Sequence, residues 1–316
     1  MKKLSFIIRT LIFMVILSVL MSGYFYLIKP KFDTDTWPTT TTVEGFYELE
    51  ENSIDVLFIG SSHAVSSFYP NILEENYGLK AYNIGTAQQS PVVSYYMLRE
   101  ALRYQSPEYV VMDCFCCFPV ADINPLNQEE SFSRSALDFM RWSPNKVWIV
   151  HDICTLDPEQ SEISYYLPNI RYHSRWEDMS LSDLNRNRDN SRLGARALYY
   201  SSNIEFYGYD MYEGIPVWPM MPLMEEYLNR IVDLCHENNI ELILTMTPTI
   251  ERNNEQCASF ELYAREHGLR YIDYNDRLEL ERIGYIFSLH CADTGHTNVR
   301  GAEIITNDIG RLITSN

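Results

Sequence analysis

Two segments far apart in the 316-residue chain carry residues able to do chemistry together: Ile54-Asp-Val-Leu-Phe-Ile-Gly-Ser-Ser-His63 and Asp293-Thr-Gly-His296. A serine hydroxyl is a weak nucleophile until a base takes its proton, and an imidazole serves as that base when a carboxylate orients it. Ser62, His296 and Asp293 are the residue types that this chemistry needs. The first segment reads as a buried strand that breaks at Gly60 into a turn presenting the hydroxyl. The second supplies a carboxylate and an imidazole just before a helix. His63 adjoins the nucleophile along a tight turn, where a side chain usually points elsewhere, so His296 is the expected base.

Residues so distant in sequence meet only if the elements between them carry the chain back to one place. Short apolar runs recur at 54–59, 80–84, 109–113, 240–246 and 270–274, and they are continuous rather than alternating in polarity. That pattern suits parallel strands covered on both faces. Amphipathic helical patterns fall between them at about 90–104, 222–238, 255–267 and 298–312. The alternation predicts an α/β fold with a doubly wound, mostly parallel five-stranded sheet. In such sheets ligands collect at the carboxyl ends of the strands, near the switch in strand order. Gly60-Ser-Ser62 follows the first strand, Asn83-Ile-Gly85 the second and Asp113 the third, and Asp293 precedes the last helix, so all four can share one rim.

The remaining sequence divides into an expected anchor and tip over residues 1–30, a stalk over 31–51, and a domain over 52–316 with an irregular insertion at about 118–219. Leu11 to Ile28 is uncharged, and at about 1.5 Å per residue it reaches roughly 27 Å, close to the hydrocarbon thickness of a bilayer. It predicts an uncleaved single-pass transmembrane helix in the cell membrane. Lys2, Lys3 and Arg9 before it, against Lys29 and Lys31 after it, favour a cytoplasmic N-terminus and an extracytoplasmic domain. The insertion is rich in Tyr, Trp, Arg and Asn, which suits either a carbohydrate or acyl-chain groove or a small satellite core. The formal net charge of −18 makes nucleic acid an unsuitable partner. The seven cysteines lack the paired spacing of a zinc site, and neither metal nor cofactor is expected. Their disulfide state stays open, and Cys114 and Cys291 are expected near the site.

Taken together, these motifs resemble the SGNH, or GDSL-like, hydrolase superfamily, whose fold is flavodoxin-like. Gly60-Ser61-Ser62 is similar to its first block, with Ser61 where many members have aspartate. Asn83-Ile-Gly85 is similar to the second, and Asp293-x-x-His296 with Asn298 and Gly301-Ala302 to the last. The resemblance covers roughly residues 50–120 and 220–316. It implies catalysis by Ser62, His296 and Asp293, with the N–H groups of Ser62 and Gly85 binding the oxyanion and Asn83 placed with Gly85 in the oxyanion and substrate-binding set. The third block departs: the family's Gly-x-Asn-Asp is replaced by Val111-Met-Asp-Cys-Phe115, so its asparagine donor is missing. Gln89 could supply an amide instead, or cap a helix or stay solvated. The departure and the anchor together look like the DltD-type and alginate-acetylation-type branches, which are membrane-tethered proteins of envelope acyl modification.

The implied activity is a serine esterase or O-acyltransferase acting on an envelope glycan or another acylated polymer through an acyl-serine intermediate. Membrane lipid would be contacted through the N-terminal helix, and a membrane-bound O-acyltransferase is a further possible partner. The competing reading is a non-catalytic glycan-binding or scaffold protein that retains the fold.

Overall fold

The computed structural model of the protein describes residues 2–29, 39–120, 124–179, 181–183 and 189–315. They fall into two units, one drawn from Met1–Phe32 with Ser161–Arg188 and the other from Asp33–Gln160 with Asp189–Asn316.

The second unit holds a five-stranded, wholly parallel sheet: β1 (Val56–Ile59), β2 (Ala81–Asn83), β3 (Tyr109–Asp113), β4 (Glu241–Met246) and β5 (Arg270–Asp273), in the order β2-β1-β3-β4-β5. The predicted apolar runs coincide with these strands, because residues such as Leu57, Phe58, Val110, Val111, Ile243 and Leu244 are covered on both faces. The chain winds outward from β1 to β2 and then back past β1 to β3, which makes the β1/β3 boundary the switch point.

The helices of this unit are α2 (Thr39–Phe46), α3 (Ser62–Ser67), α4 (Pro70–Tyr77), α5 (Pro91–Ala101), α6 (Glu130–Leu137), α7 (Pro144–Leu156), α10 (Pro222–Glu237), α11 (Asn254–His267), α12 (Arg277–Ile283), α13 (Phe287–His290) and α14 (Val299–Thr314). On one face Ile305, Ile309 and Ile313 of α14 join Val56, Phe58, Phe68, Leu73, Val111 and Ile243 in a single core. The docking of α14 against α3 and α4 matters for function, since α14 follows the Asp293–His296 loop and α3 begins with Ser62. None of the seven cysteines is joined in a disulfide.

The other unit contains α1 (Lys2–Ile28), α8 (Glu162–Tyr166) and α9 (Asn169–Tyr172). Phe6–Ile28 is long and apolar enough to cross a membrane, with a mean hydropathy of 2.3. The last carbonyls of α1, which no helical N–H can reach, accept from Arg175: Nη1 lies 3.3 Å from Leu27 O and 3.2 Å from Ile28 O.

Two expectations change. Residues 39–51, expected as stalk, belong to the folded unit that holds the sheet. α2 buries Val43 and Phe46 to 1% exposure, and Phe46 packs edge-on against Tyr82 at 5.7 Å between ring centroids. An i, i+3 pair of apolar side chains is enough to seat a two-turn helix, though too little to show as a period. The insertion at 118–219 is divided, with Ser161–Arg188 grouping with α1 and the flanking parts with the sheet. Residue 30 of the expected anchor, 31–38 of the expected stalk, and 121–123, 180 and 184–188 of the insertion lie outside the described residues.

Candidate active site

Gly60 ends β1 with φ +132°, and a Cβ there would lie 2.9 Å from the Asp113 Cβ and 3.0 Å from its carbonyl oxygen. Only glycine lets the chain pass this close to the end of β3 and turn into α3. Ser61 caps α3, accepting the His63 N–H at 3.3 Å, and Ser62 becomes the first helical residue. Its N–H has no acceptor within the helix and is free to meet an incoming oxyanion.

The opposing loop is closed by short backbone bonds, Ala292 N–H to His296 O at 2.7 Å and Asn298 N–H to His290 O at 2.9 Å. Asn298 caps α14 by accepting from Arg300 and Gly301, and its amide donates to Leu289 O at 2.8 Å. A second clamp comes from the loop after β4, where Ile250 N–H donates to Thr294 O at 2.9 Å and the Thr294 hydroxyl donates to the Glu251 carboxylate.

This scaffold places the three sequence-predicted residues in line. The Ser62 hydroxyl donates to His296 Nε2 at 2.9 Å, and His296 Nδ1 lies 3.0 Å from both Asp293 oxygens. Asp293 Oδ1 also accepts the N–H groups of Gly295 and His296 at 3.0 and 2.8 Å. Burial pushes the Asp293 carboxyl up, but its hydrogen bonds to the imidazole and these N–H groups outweigh that, holding it well below the usual carboxylate range. An ionised Asp293 fixes the proton on Nδ1 and leaves Nε2 as the acceptor facing Ser62, as general-base catalysis requires. All three side chains are part-buried and reachable from solvent. A cavity of about 1120 Å³ opens along β5, lined by Tyr212, Arg265, Tyr271 and Asp273 among others, and none of the three belongs to it.

The expected oxyanion residues are placed differently. Asn83 is fully buried; its amide donates to Ala64 O and Phe68 O, and its oxygen accepts the Gly85 N–H at 3.0 Å. It therefore braces α3, and it holds the N–H that was expected to bind the oxyanion. Gln89 is turned back toward α5: Nε2 donates to Ser94 at 3.1 Å and Oε1 accepts from Thr86 at 2.9 Å. A buried amide needs partners at both ends, and these two hydroxyls supply them. Cys114 directly follows Asp113, and Cys291 precedes Asp293 by two residues with Sγ 3.1 Å from the Tyr285 hydroxyl, so both lie in the loops that build the site.

Around the triad lies a set of buried polar groups whose partnerships were not apparent in sequence. Asp113 accepts from Ser61, Thr247 and Phe115, and burial raises its pKa to about 6. His63 is buried, stacks on Phe115 at 3.7 Å, and lies 5.1 Å from the His296 ring. Burial holds its pKa well below the usual histidine value, so the ring is neutral. The only sequence signals were positional: Asp113 at a strand end and His63 beside the nucleophile.

No family model matches the chain, and no curated protein matches it in sequence. Among solved structures, it is similar to a protein assigned to the G-D-S-L lipolytic family from Desulfitobacterium hafniense, with 10% identity, 81% of this chain and 98% of that chain covered, and a TM-score of 0.41. A GDSL-like lipase from Bacteroides thetaiotaomicron has 13% identity, 86% and 94% coverage, and a TM-score of 0.40.

Proposed function

We propose that the chain is a membrane-anchored serine esterase or O-acyltransferase of the SGNH type that acts on acyl esters of an envelope glycan or related polymer. The observation that carries the reading is the unbroken chain from Ser62 to His296 to Asp293, at 2.9 and 3.0 Å. As Ser62 Oγ attacks the ester carbonyl, His296 takes its proton. Collapse of the tetrahedral adduct then breaks the bond to the leaving alkoxide, which receives that proton, and an acyl-serine remains. Water or an acceptor hydroxyl, deprotonated by His296, attacks the acyl carbon and returns the proton to Ser62. Hydrolysis and transfer differ only in this second nucleophile.

A partly exposed triad suits an ester carried on a polymer, which could not enter a closed pocket. The 23-residue apolar stretch Phe6–Ile28 supports anchoring. The excess of acidic residues disfavours a densely anionic polymer. If transfer is the task, the anchor would hold the site beside a membrane protein that exports acyl groups; failure of any membrane acyltransferase to co-purify would count against that partner.

A non-catalytic glycan-binding role is favoured by one observation: the Gly85 N–H is engaged by Asn83 and the Gln89 amide by Ser94, so two of the three expected donors are committed within the fold and only the Ser62 N–H is left. Absence of one oxyanion donor costs about 2.7–4 kcal/mol in the transition state, which predicts a slow enzyme more readily than an inert one. Labelling the full chain in detergent with a fluorophosphonate serine probe separates the two readings. Wild type is expected to label, with labelling lost in folded Ser62→Ala and His296→Ala. A folded wild type that stays unlabelled would favour the binding protein.

A further inference from the structure

Asp113 stands outside the Ser62–His296–Asp293 chain, yet it is 3% exposed and bonded toward both halves of the site. Its Oδ2 accepts from the Ser61 hydroxyl at 2.9 Å, and its Oδ1 from the Thr247 hydroxyl at 3.2 Å. Each hydroxyl has one proton, and each directs it at Asp113, so toward any other neighbour it can only accept. Ser61 accepts the backbone N–H of His63 and thereby holds the first turn of α3, where Ser62 sits. Thr247 lies 3.3 Å from His63 Nδ1 and must accept its proton, which fixes the neutral ring as the Nδ1–H tautomer.

The His63 ring is wedged against the loop that carries the base. It stacks on Phe115 at an interplanar angle of 18°, and Arg252 covers Phe115 at 3.8 Å. A Cβ at Gly295 would come within 2.8 Å of His63 Cε1, so the residue before His296 can be nothing larger than glycine while the ring keeps this place.

We propose that Asp113 is a positioning residue for both catalytic partners, one carboxylate that sets the nucleophile through Ser61 and backs the base through Thr247 and His63. It joins the ends of β1, β3 and β4 across the switch point. A carboxylate suits the position because it accepts at both oxygens; an amide would offer one acceptor and one donor, and would force one hydroxyl to reverse. The inference rests on the acyl-serine reading of the site.

The test uses the full chain in detergent micelles and the fluorophosphonate probe, with the maximal labelling rate and the half-saturating concentration measured separately. Asp113→Asn and Thr247→Val, both nearly isosteric, are expected to lower the maximal rate by on the order of 10²-fold while half-saturation moves less than about twofold. Thr247→Ser, which keeps the hydroxyl, should label like wild type. Thr247→Ser as slow as Thr247→Val would show that shape rather than the hydrogen-bond chain matters, and would overturn the proposal. Asp113→Asn and Thr247→Val labelling at the wild-type rate would overturn it and leave the acyl-serine reading standing, whereas an unlabelled wild type would overturn both. Should Asp113→Asn fail to fold, the two Thr247 variants decide the matter.

Discussion

Two carboxylates near Ser62 are shifted in opposite directions, and the difference has measurable consequences. Asp293 is held low by its imidazole and backbone donors. Its stabilising contribution is therefore present above the ordinary carboxylate range and fades as pH falls through and below that range. In Asp293→Asn the imidazole would lose the partner that fixes its tautomer, and kcat should drop by up to about 10⁴-fold with the fold intact, measured by ester hydrolysis beside circular dichroism. Asp113, raised to about 6 from an ordinary 3.8, binds its proton more tightly when folded. Its ionisation consequently destabilises the fold increasingly from about pH 4 to about pH 6, by on the order of 3 kcal/mol once complete. Denaturant titrations of wild type and Asp113→Asn should show the variant gaining on wild type across that window and no further above it; a constant difference would contradict the shift. The meeting of Ser62, His296 and Asp293 was legible in sequence because few residue types can do the chemistry proposed for them. Asp113 could be placed at a strand end, but Ser61 and Thr247 reach it from the turns that follow two other strands, and no local pattern encodes that meeting. Gln89 misled for the same reason, since its partners, Thr86 and Ser94, are chosen by how the loop folds back.

The strands were legible as elements because parallel strands buried on both faces leave continuous apolar runs, and β3 has the bounds its run predicted. α2 was not, because two apolar side chains among threonines leave no period. Phe46 is nonetheless enclosed by Tyr47, Tyr82 and Tyr104. Phe46→Ala should cost about 3–5 kcal/mol in chemical denaturation, which would separate a packed helix from a stalk, where the change would be near zero. The cap of α14 is an equally local test of how the base is held. Asn298 satisfies two helix N–H groups and also ties the loop to Leu289. Asn298→Ala is expected to lose about 1–2 kcal/mol of stability. Because the same side chain fixes where His296 sits, labelling of Ser62 should slow as well.

At the scale of the molecule, α1 and the sheet place unlike demands on their surroundings. The apolar residues between Phe6 and Val19 of α1, which are all but Arg9, Thr10 and Ser18, are exposed, as expected of a helix surrounded by lipid. The full chain should remain with membranes through high-salt and alkaline washes, and a chain that washes off would remove the anchoring proposal. The serine and its base are 234 positions apart in sequence. A ribosome that has made β1 and α3 has made a hydroxyl with no base, and it stays so until the Asp293–His296 loop and α14 have emerged and docked. Contacts of such long sequence separation form late. On the proposed reading, the nascent polypeptide would thus stay chemically silent while α1 is inserted, and its serine would meet acyl groups only once the base is in place.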